Sequence, residues 1–363
     1  MTRTPEKFQQ PDLHRSTALW AMLFVLLLAA AASLFRLNAV SFWEDESWLA
    51  MAIRGGLADV WIFAAERGVH PPLYFYIAYF LRPLFGDGEF ALRWMSGLFG
   101  LLGIAFTYRL GATLLSRRVG LYAALLASGS LFWLYFARLA RQYTLFYLLA
   151  AALIWAYWRW RKNGDWRWLL AIALIQAAAL YTHYFSAFLG MTLALHALFS
   201  LPWRRTLRLW GALLLAGLLL IPWLPAIFTQ LNSDLGEGLF YGVPDVPRIL
   251  QNYADRVTNA VTLLGGALAL VGLWALRKHK QILLLFFLWI VATFAVVIFV
   301  NQTLFLWYIG RNLLYTLPAL MILYGAGLSD LSRWRMGSAA AFSAALVWVL
   351  VGITGLSIFW PGT

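Results

Sequence analysis

Long apolar runs separated by short polar joints make up most of the chain. Runs of about twenty residues recur between positions 17 and 358, without the strict alternation of a barrel strand. Each is close to the length that crosses roughly 30 Å of hydrocarbon at 1.5 Å per residue. The pattern predicts about eleven transmembrane helices, near 17–36, 90–114, 120–137, 143–160, 167–182, 185–201, 209–228, 258–276, 281–300, 312–330 and 338–358. One further apolar piece, HPPLYFYIAYFLRPLF at 70–85, is short, opens with Pro71-Pro72 and carries Arg82-Pro83 near its end. It predicts a helix lying in the outer interface, because a crossing there would flip every later basic cluster to the other side. Two more amphipathic surface helices are expected over 46–54 and 57–67, split by Gly55-Gly56. The segment 229–257 holds Gly236, Gly238, Gly242, Pro244 and Pro247 and predicts a mobile external flap.

Composition supports this picture. The chain is 63% hydrophobic and 12% charged, has 20 Trp and 26 Phe, and has a mean hydropathy of +0.73. That places it among all-α polytopic membrane proteins. With no cysteine it has no disulfide framework, no thiolate nucleophile and no Cys-based metal site. A net charge of +13 does not point to nucleic acid, because the basic residues sit in the joints between spans. Arg117-Arg118, Arg159/Arg161/Lys162/Arg167, Arg204/Arg205/Arg208, Arg277/Lys278/Lys280 and Arg333/Arg335 fall on the same side as Arg3, Lys7 and Arg15. By the positive-inside rule that side is the cytoplasm. Met1 to Arg15 reads as a cytoplasmic tail and not a cleaved signal peptide. The expectation is one membrane-embedded domain over 1–363, with external loops 37–89 and 229–257 and no soluble C-terminal domain. It would sit as a multi-pass protein in the cell (inner or plasma) membrane, its working face periplasmic or extracellular.

Most acids fall on that outer face, and three stand together in Trp43-Glu44-Asp45-Glu46. A solvated helix end explains such a triplet by itself. The outer face, however, also gathers His70, Arg138, Arg141, Gln142, Tyr143, Tyr181, His183, Tyr184, Tyr308, Arg311 and Asn312 from four separate places. Charges near hydrocarbon are costly, so each should face water or a partner. Carboxylate plus arginine suits transfer from a phosphate-linked lipid donor. Arginine neutralises a leaving phosphate with its fork of donors, and a carboxylate takes the acceptor proton. Plainer readings stay open. Arg138 and Arg141 suit bonds to helix-end carbonyls, and His183 with Tyr184 suits an interfacial aromatic belt. Arg93 suits an anchor or a pair with Asp87 or Glu89. Glu44, Asp45 and Glu46 also leave a divalent cation open, although no further carboxylate motif supports one.

In order along the chain, several motifs resemble the integral-membrane GT-C glycosyltransferases, and among them the bacterial relatives of protein O-mannosyltransferases and lipid A aminoarabinose transferases. They are Asp45-Glu46, His70-Pro71-Pro72-Leu73-Tyr74, Gly86-Asp87-Gly88-Glu89-Phe90-Ala91-Leu92-Arg93, Ala140-Arg141-Gln142-Tyr143-Thr144-Leu145, Tyr181-Thr182-His183-Tyr184-Phe185 and Arg311-Asn312-Leu313-Leu314 running into Leu317-Pro318-Ala319. The resemblance implies an inverting sugar transfer from a polyprenyl-phosphate donor on the non-cytoplasmic face, with no cofactor required. It implies Asp45 as catalytic base, with Glu46 beside it supporting the loop or the acceptor. It also implies Arg141, Tyr143 and Arg311 as donor-phosphate and pocket residues, and His70 close to the donor. Arg138, His183 and Tyr184 join them as substrate-binding candidates. The acceptor would be a lipid, a glycan or a small protein. Asn312 following Arg311 departs from the family's late motif. Two rivals stay in view: a transporter or scramblase of lipid-linked sugars, and a glycan polymerase or ligase.

Overall fold

The computed structural model describes residues 13–66, 70–237, 246–304, 310–333 and 337–359. Helix α1 (Arg15–Leu34) crosses first, and a short joint leads to three small helices, α2 (Glu44–Ala52), α3 (Leu57–Glu66) and α4 (Leu73–Phe85). These match the surface pieces expected of the first loop. At 13 residues α4 is about 20 Å long, too short to cross a bilayer. Its inner face buries Tyr74, Phe75 and Ala78, whereas Phe80, Leu84 and Phe85 stay exposed, as an interfacial helix requires.

The central bundle follows: α5 (Glu89–Leu114), α6 (Arg117–Ser128), α7 (Leu131–Ala137), α8 (Tyr143–Asn163), α9 (Trp166–Leu180), α10 (Ser186–Ser200) and α11 (Trp203–Leu219). Then come α12 (Leu224–Glu237), α13 (Val246–Val257), α14 (Thr262–Leu276), α15 (Lys280–Phe286), a π-helical stretch Phe287–Ala292 and α16 (Thr293–Leu304). A 3₁₀ segment, Gly310–Thr316, precedes α17 (Leu317–Leu331), and α18 (Gly337–Phe359) ends the described chain.

Among the described residues five helices are long and apolar enough to cross alone: Arg15–Leu34, Glu89–Leu114, Trp203–Gln230, Gly310–Leu331 and Gly337–Gly355. Two further candidates are bent pairs, Arg117–Ser128 with Leu131–Ala137 at 62° and Ile249–Val257 with Thr262–Leu276 at 80°. The remaining expected crossings are helical but too short or too polar to qualify on length and hydropathy, so the figure of eleven is not confirmed. Burial sorts the spans. In Gly310–Leu331 94% of the most apolar stretch is buried, at the centre, whereas in Trp203–Gln230 only 22% is.

Two expectations need correction. The run 120–137 is not one straight span, because it breaks at Gly129-Ser130. The backbone groups freed there are taken up by Asn259, which sits at the second bend in a left-handed conformation (φ 54°) that asparagine tolerates. Its Nδ2 donates to Gly129 O at 2.7 Å and Trp348 O at 3.1 Å, and its Oδ1 accepts from Leu131 N at 2.8 Å. One side chain thus closes both bends against α18. Gly352 makes that approach feasible, since a Cβ there would lie 1.8 Å from Gly129 O.

The second correction concerns only the secondary structure of the segment expected as a flap. Residues 229–237 continue α12 and 246–257 form α13, while Gly238, Gly242 and Pro244 lie outside the described residues. Helix α12 is tied to α3 by Gln230 Nε2 donating to Ala64 O at 2.8 Å. Helix α13 is tied to the 3₁₀ segment by Tyr253 Oη and Thr316 Oγ1, 2.5 Å apart.

Candidate active site

Asp45 lies in the first turn of α2, where the helix N-terminus favours acidic side chains. Its neighbour Glu46 accepts from the Trp43 backbone N–H at 3.1 Å, half of a capping box, and this sets where α2 begins. Helical rotation then sends the three consecutive carboxylates in different directions. Glu44 points to solvent, Asp45 to the pocket and Glu46 into the protein. Among the described residues no three His, Asp or Glu side chains group to hold a metal ion.

Two arginines from distant parts of the chain meet Asp45. Arg311, on the 3₁₀ segment, places Nη1 at 3.1 Å from Asp45 Oδ2. Arg141, in the turn between α7 and α8, places Nη2 at 3.7 Å from the same oxygen and donates from Nη1 to the Asp45 backbone oxygen at 3.1 Å. The Arg141 side chain is 10% exposed, Arg311 26% and Asp45 44%, so the carboxylate is the open member. The Arg311 guanidinium also lies 5.7 Å from the centre of the Tyr143 ring. The expected convergence of Asp45, Arg141, Tyr143 and Arg311 is present, with one negative and two positive charges.

Rings close the other side. His70 lies 5.4 Å from His183 and 6.4 Å from Tyr143, centre to centre. His183 stacks on Phe146 (5.2 Å, 7°), which in turn stacks on Tyr315 (4.6 Å, 28°). Both nitrogens of His183 face partners: Nδ1 accepts from Phe185 N–H at 3.1 Å, and Nε2 lies 3.3 Å from Asn312 Oδ1. Burial, helped by Arg311 and Arg141, pushes its imidazole down to about 4, against the hydrogen bond that Nε2 donates to Asn312 Oδ1. His70 is lowered well below the ordinary 6.5, first by burial and then by Arg141, His183 and Arg311. Both are neutral near pH 7, so the unfolded chain binds their protons more readily than the folded one. The sign follows: stability from His183 is complete above pH 6.5 and is lost as pH falls toward 4. We expect thermal unfolding of the detergent-purified protein to show a drop in Tm between pH 7 and pH 5. That drop should shrink in His183→Gln, and an equal drop in both proteins would refute the assignment.

Three expected site residues lie elsewhere. Glu46 does not face the pocket. It is 0% exposed and bidentate with Arg93, at 2.9 Å from Nε to Oε1 and 2.7 Å from Nη2 to Oε2. Its Oε1 also accepts from Ala140 N at 2.7 Å. This fits support of the loop, not acid–base work. Arg138 caps the end of α1, donating from Nη1 to the Phe35, Ala32 and Ser33 carbonyls at 2.7, 3.2 and 3.5 Å. Tyr184 donates its hydroxyl to Gln230 and accepts from Trp223 Nε1 at 2.9 Å, holding α12 against the turn. Tyr308 lies outside the described residues.

The reading of Arg93 is corrected as well. It pairs with Glu46, while Asp87 takes Arg54 at 3.1 Å and Arg82 at 3.9 Å. Sequence reasoning missed Ser96, whose Oγ meets Tyr74 Oη at 2.5 Å and donates to Arg141 O at 3.1 Å, while its carbonyl accepts from Thr144 Oγ1 at 2.8 Å. A small serine inside an apolar helix carries no signal that distinguishes it from a packing residue.

Fold and site together describe an all-helical, multi-pass membrane protein that shares its fold with solved membrane proteins. Residues 69–228 match the family described as dolichyl-phosphate-mannose-protein mannosyltransferase, a stretch that contains Arg141, Tyr143 and both pocket histidines but neither Asp45 nor Arg311. The structure is similar to ArnT from Cupriavidus metallidurans in the apo state, at TM-score 0.63 and 16% identity over 92% of this chain and 62% of that one. It is also similar to the same ArnT bound to undecaprenyl phosphate, at TM-score 0.65 and 16% identity over 95% and 64%. The Archaeoglobus fulgidus oligosaccharyltransferase tethered with an acceptor peptide matches at TM-score 0.59 and 14% identity over 94% and 55%. The chain thus spans less than two thirds of the length of these solved structures. By sequence, no curated protein matches it.

Proposed function

We propose that this chain is an inverting glycosyltransferase that moves a sugar from a polyprenyl-phosphate donor to an acceptor hydroxyl on the non-cytoplasmic face of a cell membrane. The observation that carries the reading is Asp45 held open between Arg141 and Arg311. Asp45, Arg141 and Arg311 leave one excess positive charge, which a phosphodiester donor neutralises. In the transfer, the acceptor oxygen attacks the anomeric carbon from the face opposite the phosphate. The carbon–oxygen bond to phosphate breaks with its electron pair leaving on the phosphate, and the acceptor proton goes to Asp45. The phosphate gains charge as it leaves, so the arginine contacts strengthen toward the transition state and lower the barrier. The arginines exchange Asp45 for the phosphate as the donor enters, which frees a carboxylate lone pair for the proton. The undecaprenyl phosphate bound to the similar ArnT supports a lipid-phosphate ligand for this fold. A scramblase has less support, because Asp45, Arg141 and Arg311 meet at one point and do not trace a path through the bundle.

The test is a proteoliposome assay with radiolabelled undecaprenyl-phosphate sugars, followed by mass spectrometry of the glycosylated product. We expect Arg141→Ala and Arg311→Ala each to weaken undecaprenyl phosphate binding about tenfold to a hundredfold, the range for a charge-assisted hydrogen bond. Acceptor KM should change little. A change confined to acceptor KM would remove the phosphate-clamp role.

A further inference from the structure

The two walls of the pocket differ in chemistry. One presents the Arg141 and Arg311 guanidinium groups, the other the rings of His70, Tyr143 and His183. His183 has both nitrogens committed and acts as a prop for the wall. The other two have polar atoms to spare. Tyr143 is 1% exposed, and its hydroxyl has no hydrogen-bond partner among the described residues. A buried hydroxyl without a partner is unfavourable, so it is one a ligand would satisfy. Neither ring nitrogen of His70 bonds to another described residue, and His70 is half-buried.

The protonation state of His70 decides what it suits. Burial and the two arginines keep the imidazole neutral, so it offers one donor and one acceptor. A phosphate oxygen only accepts, and it is better served by the arginines across the pocket. A sugar hydroxyl both donates and accepts, and it matches a neutral imidazole and a phenol. Tyr143 also lies under the Arg311 guanidinium, so it marks the place where a phosphate on the arginines would join its sugar.

We propose that His70 and Tyr143 are the specificity-determining residues that hold hydroxyls of the donor sugar, while Arg141 and Arg311 alone hold its phosphate. This rests on the proposed glycosyltransferase reading and assigns the two walls of its pocket to the two halves of the donor.

The test uses the full chain in nanodiscs and measures equilibrium binding of two kinds of probe. One is undecaprenyl phosphate, the other undecaprenyl phosphate carrying mannose, glucose or an aminopentose. Wild-type protein should bind at least one sugar-bearing lipid more tightly than the bare lipid. His70→Ala and Tyr143→Phe should each weaken that lipid about tenfold, as for one neutral hydrogen bond, and change the bare lipid by less than about twofold. His70→Gln, which keeps a neutral donor and acceptor, should retain most of the discrimination. Arg311→Ala should weaken both lipids. Retained binding of the bare lipid shows at the same time that the variants are folded. Equal losses for both lipids, or no loss for either, would overturn the division of the pocket while leaving the glycosyltransferase reading in place. A wild-type protein that binds neither lipid would overturn both.

Discussion

Asp45→Asn is expected to lose transfer by about a hundredfold to ten-thousandfold, the range for removal of a positioned general base. Asparagine keeps the size of the side chain, and its carbonyl can still accept from Arg311, which sits 3.1 Å from the native carboxylate. At neutral pH, however, it cannot take the acceptor proton. Donor binding should survive or tighten, because the substitution removes the negative charge that competes with phosphate for Arg141 and Arg311. This combination separates a base from a structural acid, whose loss would lower both binding and turnover. The measurement is single-turnover transfer with saturating donor, beside equilibrium binding of undecaprenyl phosphate. Turnover close to that of the wild type would end the assignment of Asp45.

The largest loss of stability is expected from Glu46→Ala. Removing one member of a buried ion pair leaves the other charged and desolvated, at a cost of about 3–5 kcal/mol. Here the survivor would be Arg93, which is 0% exposed. Its Nη1 donates to Leu37 O at 2.8 Å and Val40 O at 2.6 Å, and its Nη2 to Ser41 O at 3.0 Å. Arg93 and Glu46 therefore join the exit of α1, the start of α2, the head of α5 and the turn that carries Arg141. Unfolding in detergent, followed by heat or denaturant, gives the loss directly. The double variant Glu46→Leu/Arg93→Leu should lose less than the sum of the two single changes, since each single change leaves an uncompensated group. Additive losses would mean that the two side chains act independently. Glu46→Ala should also slow transfer, because Asp45 is the next residue on the helix that Glu46 anchors.

Much of the molecule was legible from the sequence because membrane spans obey a one-dimensional rule. Apolar length gave the ends of α5 and α18 to within a residue or so, and Gly55-Gly56 marked the joint between α2 and α3. The prolines and the short length of 70–85 told against a crossing, and α4 is a helix of only 13 residues. The bends were not legible. Breaking a helix inside a bundle exposes backbone groups, and the residue that satisfies them here is Asn259, more than a hundred positions away from Gly129. Nothing local to 120–137 announces such a partner. The same holds for the glycines and prolines of 229–257. They read as a flap, but much of that segment packs as helix against α3 and α7.

Within the site, residue types and motif order selected Asp45, Arg141, Tyr143, His70, His183 and Arg311, and the structure brings all six together. Chemistry written into the side chains can be read along the chain. Direction cannot. Glu46 differs from Asp45 by one position, yet 100° of helical rotation turns one carboxylate toward Arg93 in the interior and the other toward the open pocket. Arg138 and Arg141 stand three residues apart, and one caps α1 while the other meets Asp45. Which of two like charges is buried in a pair and which faces the pocket depends on partners supplied by other helices, and only the folded bundle places those partners.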